Sequence, residues 1–153
     1  MDLILWRHAE AVEAAPGELD MGRVLTARGD KQATRMAAWL DRQLPDSARI
    51  WVSPARRTEQ TALALGRKFK VNPALGPMGS PDQLLELVQW PHAKGRVLVV
   101  GHQPTLGQTL SRLLGLSVPE YSVKKGALWW LRYREREATG KAVVLTVQTP
   151  EVM

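Results

Sequence analysis

Residues 3–11, "LILWRHAEA", run from four consecutive apolar side chains straight into an arginine and a histidine. A strand with one wet face alternates apolar and polar residues. The unbroken run at 3–6 therefore predicts a strand buried on both faces, as in a parallel sheet covered by helices. Such a strand delivers Arg7 and His8 to its carboxyl end, the edge where open α/β sheets hold their ligands.

The same alternation of short apolar runs and helical stripes continues along the chain. Strands are predicted at 49–52, 96–100, 127–133 and 142–148, all rich in Val, Ile, Leu or Trp. Ala33, Met36, Ala37, Leu40 and Leu44 form one helical stripe, with Thr26 as N-cap and Pro45 as a stop. Ala62, Leu65 and Phe69 form a second. Leu84, Leu87 and Val88 form a third, closed by Pro91, and Leu106, Leu110, Leu113 and Leu114 a fourth, closed by Gly115. The order β-α-β-α-α-β-α-β-β predicts an α/β fold: a three-layer α/β/α sandwich with a mostly parallel sheet and a C-terminal antiparallel hairpin. The polar stretch "REREATGK" (134–141) is predicted as the hairpin turn, and 14–23 and 72–81 as loops near the site.

The chain has 153 residues, and the expectation is one domain over 1–153 with a single core. With 21 Lys+Arg against 15 Asp+Glu the net charge is +6, which favours anionic partners. There is no run of basic residues interleaved with aromatics, so nucleic acid is not the expected partner. Zero cysteines exclude a disulfide framework, a thiolate zinc site and a cysteine nucleophile. With only three histidines, of which His92 stands in a loop without a partner motif, no metal or other cofactor is expected. No basic segment precedes a cleavage site, and no apolar run approaches the ~18 residues of a membrane span. A monomeric cytoplasmic protein is expected.

Three motifs fall at the ends of the predicted parallel strands: "RHAE" (7–10), "SPARRTEQT" (53–61) and "GHQP" (101–104). Parallel strands present their carboxyl ends on one edge, so these stretches converge there. Two histidines among arginines suit a phosphate, whose charge in the transition state spreads over three oxygens that Arg7 and Arg57 can hold. A neutral imidazole is a competent covalent nucleophile, which makes His8 the candidate, with His102 as phosphate donor and partner. Glu10 and Asp82 are the acids whose loops can face the site, and so the candidates for general acid. Glu59 falls two positions after Arg57, about 200° around a helix, and points away. Trp129 and Trp130 alternate across a strand, so at least one belongs to the core.

In this order, with "LTARG" (25–29) and the weaker "KKGALWWL" (124–131), the motifs resemble the histidine phosphatase superfamily, with its phosphoglycerate mutase-like fold. The short length resembles its SixA-type phosphohistidine phosphatase branch. The resemblance runs from residue 2 to about residue 114. It implies a phosphohistidine intermediate on His8, with Arg7, Arg57 and His102 completing the phosphate pocket. The family's spacing after the serine selects Arg57 over Arg56. Two departures stand out. Ala9 replaces a glycine frequent in the family, and the insertion that carries a carboxylate acid in larger members is missing.

The function implied is removal of phosphate from a phosphorylated histidine on a protein, such as a histidine-phosphotransfer domain, in signal transduction. Alternatives are a phosphatase for small phosphomonoesters and a non-catalytic phosphate-binding or protein-binding module.

Overall fold

A computed structural model describes residues 1–136 and 139–152. Six strands form one sheet: β1 (Asp2–Arg7), β2 (Arg49–Val52), β3 (Lys70–Val71), β4 (Arg96–Gly101), β5 (Leu128–Arg136) and β6 (Thr139–Gln148). Four helices accompany them: α1 (Ala27–Gln43), α2 (Arg56–Leu63), α3 (Pro81–Val88) and α4 (Thr105–Leu114). The strand order is β3-β2-β4-β1-β5-β6. The first four are parallel, and the last two form the antiparallel hairpin, joined to β1 through β5.

β1 is apolar throughout because both of its faces are covered. Ile4 and Trp6 pack with Met36, Leu40 and Ala62 from α1 and α2. Leu3 and Leu5 pack on the other face with Leu84, Val88, Leu106 and Leu110 from α3 and α4. This is the expected three-layer α/β/α arrangement. Trp129 and Trp130 divide between the two layers: Trp130 meets Trp39 edge to face, and Trp129 meets Tyr121 in the same way.

The structure corrects several element boundaries. Residues 134–136 and 139–141 lie in the hairpin strands, with Arg134 opposite Lys141, so the polar stretch is mostly strand, and 137–138 fall outside the described residues. Polar residues are admissible there because that end of the hairpin extends beyond the covered sheet and stands in solvent. The stripe of Ala62, Leu65 and Phe69 is not one helix. α2 stops at Leu63, and Gly66 takes a positive φ that turns the chain. Leu65 and Phe69 still reach the core, but from the connection to β3, an edge strand too short to show as a periodicity. α3 ends at Val88, and Gln89 caps it in the left-handed conformation ahead of Pro91.

Gly29 of the "LTARG" stretch has a steric reason. A Cβ there would meet the Glu10 carbonyl oxygen at 2.0 Å, so this turn of α1 packs directly on the backbone that follows His8. Among the described residues no helix is long and apolar enough to cross a membrane.

Candidate active site

The ladder of the parallel strands continues one residue past their ends. The His8 N–H donates to Gly101 O (3.1 Å) and the Ser53 N–H to Val100 O (3.1 Å), which brings "RHAE", "SPARRTEQT" and "GHQP" side by side. The residues between the arginines and histidines hold this edge together. Thr61 Oγ1 accepts from the Ala9 N–H (3.1 Å), and Gln60 Oε1 from the Leu25 N–H (2.7 Å). Thr58 Oγ1 donates within the turn, at 2.9 Å from Ser53 O and 2.8 Å from Ala55 O. Gly126, at φ +77°, donates its N–H to His8 O (2.9 Å) and accepts from Trp6 Nε1 (3.0 Å). Ala9 is fully buried beside Ala11, Leu25 and Ala33, so its methyl group fills core space.

His8 and His102 come together, with ring centroids 5.4 Å apart. Both are buried, His8 being 5% exposed. Nδ1 of His8 lies 2.7 Å from Ala9 O, a contact that an N–H must make. The proton is thereby assigned to Nδ1 and the lone pair to Nε2. His102 Nε2 lies 2.7 Å from Ser53 Oγ, which itself accepts from the Ala55 N–H at 3.3 Å. The Ser53 hydroxyl is then free to donate to Nε2, leaving the His102 proton on Nδ1.

Burial is the main cause that holds the His8 imidazole down to about 4, reinforced by the charges of Arg57 and Arg7 and opposed by the Ala9 hydrogen bond. Burial again leads for His102, pushed down to about 3, with Arg57 next. Desolvation outweighs the neighbouring arginines as the reason for a neutral His8. Both rings are neutral at pH 7 and remain so well below the ~6.5 of a free imidazole. A rate profile with an aryl phosphate, corrected for the ester's own ionisation, is therefore expected to hold kcat/KM steady from pH 7 to about 5. A loss centred near 6.5 would contradict it. Stability has the opposite trend: below ~6.5 the unfolded chain takes up protons that the folded chain refuses, so stability falls as pH drops.

Arg7 and Arg57 both join this cluster. Arg7 Nη1 donates to Val123 O (2.8 Å), and Arg57, 4% exposed, uses both terminal nitrogens on Asp20: Nη1 to the carbonyl (3.0 Å), Nη2 to the carboxylate (3.2 Å). Three buried N–H groups of this cluster have no partner among the described residues: Arg7 Nε, Arg57 Nε and His102 Nδ1. Arg56, one position earlier on α2, is exposed.

The two proposed acids are elsewhere. The Glu10 carboxylate accepts from Thr26 Oγ1 (3.0 Å) and lies 3.9 Å from Arg28, at the amino end of α1, where its charge suits the helix dipole. Asp82 pairs with Arg112, which lies roughly 10 Å along the α4 axis from Thr105, away from the end that carries His102. His92 is exposed in the turn after α3. The acid that sequence reading passed over is Asp20, in a 3-10 turn (Asp20–Gly22) of the loop predicted to lie near the site. Its spacing to Arg23 was the available signal, since the two pair at 3.2 Å across one turn.

The family model of the histidine phosphatase superfamily (branch 1) matches residues 3–77. A phosphohistidine phosphatase SixA homolog of Haemophilus influenzae is 30% identical over 134 residues, covering 78% of this chain and 80% of the relative. The phosphohistidine phosphatase SixA of Escherichia coli is 32% identical over 121 residues, 74% of each chain. Among solved structures, a chain from Nakamurella multipartitia superposes with a TM-score of 0.77 at 30% identity, covering 97% of this chain and 95% of that one. The protein histidine phosphatase SixA complexed with tungstate shares the fold, with a TM-score of 0.80 at 24% identity over 99% of both chains. The chain belongs to the histidine phosphatase superfamily and is a phosphatase.

Proposed function

We propose that this phosphatase removes the phosphoryl group from a phosphorylated histidine on a protein, through a phosphohistidine formed on its own His8. The observation that carries the reading is the trio of buried, unpartnered donors beside a neutral histidine: Arg7 Nε, Arg57 Nε and His102 Nδ1. Buried N–H groups are costly to leave unpaired, and three around one imidazole suit the three oxygens of a phosphoryl group. His8 Nε2, its tautomer fixed by Ala9 O, attacks phosphorus. The P–N bond of the substrate breaks, and its imidazole departs neutral because the other ring nitrogen already carries a proton. Water then attacks the phosphorus held on His8, and the bond to Nε2 breaks in turn. The names of the relatives from Haemophilus influenzae and Escherichia coli support the phosphohistidine substrate. The same reading takes the protein as a monomer with a single domain over 1–153. A histidine-phosphotransfer domain in the cytoplasm is the kind of substrate this fits.

The substrate class follows from the leaving group. An alkoxide needs a proton from the enzyme, an effect typically worth 10²–10⁴-fold, whereas an imidazole or an acidic phenol needs little help. Glu10 and Asp82 are engaged away from the site, and Asp20 is held ionised between two arginines. Purified protein is expected to act on a phosphohistidine protein faster than on an aryl phosphate, and on an alkyl phosphate at least ~10²-fold more slowly than on the first. Equal rates on a sugar or nucleotide monoester would transfer the assignment to small phosphomonoesters.

A further inference from the structure

The Asp20 carboxylate is bracketed by two guanidinium groups. Arg23 Nη1 donates to Oδ1 and Arg57 Nη2 to Oδ2, both at 3.2 Å. Arg23 is itself anchored, its Nε donating to Val12 O at 2.7 Å. Arg57 therefore connects two things: its terminal nitrogens fix Asp20, while its buried Nε is left without a partner beside the histidines. A phosphoryl group taken by Nε comes to lie one guanidinium width from a carboxylate that need not move.

In-line geometry fixes which side of phosphorus that carboxylate serves. The nucleophile His8 is buried, whereas Asp20 has a side chain 54% exposed on the loop over the site. The leaving imidazole must depart opposite His8, toward the open side, and the water of the second step must enter by the same route. Along that route Asp20 is the carboxylate fixed to a phosphate-binding arginine.

We propose that Asp20 accepts the proton of the water that hydrolyses the phosphohistidine on His8. The step balances as follows. A lone pair of the water forms the new P–O bond, the P–Nε2 pair returns to the His8 ring, and the water's proton passes to Asp20 and then to solvent. The surroundings keep Asp20 ready for this. Burial is the largest single influence and opposes its ionisation, but the hydrogen bonds and charges of Arg23 and Arg57 together outweigh it, leaving the carboxyl below its usual range. An ionised carboxylate suits a proton acceptor in the second step and not a donor in the first, in keeping with a leaving group that needs none.

This rests on the phosphohistidine reading, and the experiment separates the two. Wild type and Asp20→Asn are mixed with labelled substrate, quenched over time, and the label on His8 is followed as it forms and decays. The variant is expected to take up label within a few-fold of the wild-type rate, but to lose it ~10²-fold or more slowly, so that phosphoenzyme accumulates and kcat for phosphohistidine and aryl phosphate converges on one common, lowered rate of breakdown. Glu120→Gln, at an exposed carboxylate near Gln103, is the control and should leave decay unchanged. Unchanged decay in Asp20→Asn overturns the proposal. So does slowing of formation and decay together, which would make Asp20 a mere support for Arg57, or equal slowing in Glu120→Gln. If wild type itself carries no label on His8, the underlying reading fails instead.

Discussion

His8→Ala is expected to abolish the phosphoenzyme and to lower kcat/KM by roughly 10⁴–10⁶-fold, the scale seen when a covalent nucleophile is lost. The effect is large because nothing in the site can replace the ring. His102 Nε2 is bound to Ser53, and no cysteine exists in the chain. Label trapped on wild type by a quench should be stable in alkali and lost in acid, as a phosphorus–nitrogen bond requires. Equal label on His8→Ala would remove His8 from the role of nucleophile. The three donors survive the substitution, so the variant should still bind inorganic phosphate. That binding, measured by calorimetry, separates lost chemistry from lost folding.

Arg57→Lys is expected to cost about 2–4 kcal/mol in kcat/KM, or roughly 30- to 900-fold, while Arg56→Lys stays within a few-fold of wild type. Lysine keeps the charge, but a single ammonium cannot hold Asp20 with two nitrogens and offer a third donor to phosphate. Arg57 does the first and has Nε for the second. Arg56 is exposed at the start of α2. Steady-state kinetics with an aryl phosphate decides the point, and equal losses at the two positions would contradict the different roles.

The layered fold was legible because its signals are local. An unbroken apolar run such as 3–6 has few explanations besides a strand covered on both faces, and the caps at Thr26 and Gly115 fall where a side-chain bond and a left-handed turn require them. The convergence of His8, Arg57 and His102 was legible too, since it follows from parallel strands sharing an edge. What was not legible depends on contacts between distant segments. Asp20 is set by an arginine 37 positions away. Glu10 was drawn off by Thr26 and Arg28, a preference of the amino end of α1 that no spacing reveals. The hairpin boundaries failed for a different reason: the polar composition at 134–141 reports solvent around a projecting ribbon, which a turn and an exposed strand share.

The position of β1 between β4 and β5 bears on how the chain is made. β1 is central in the sheet but precedes both of its partners in the chain, which begin at Arg96 and Leu128. At about 5–20 residues per second, a ribosome takes roughly 5–20 s from the end of β1 to supply the start of β4, and longer for β5. Through that interval "LILW" is an unpaired apolar segment of high strand propensity, the kind that seeks other edges. The nascent chain is therefore expected to depend on a holding chaperone until β4 and β5 emerge, and to fold late and all at once when they do.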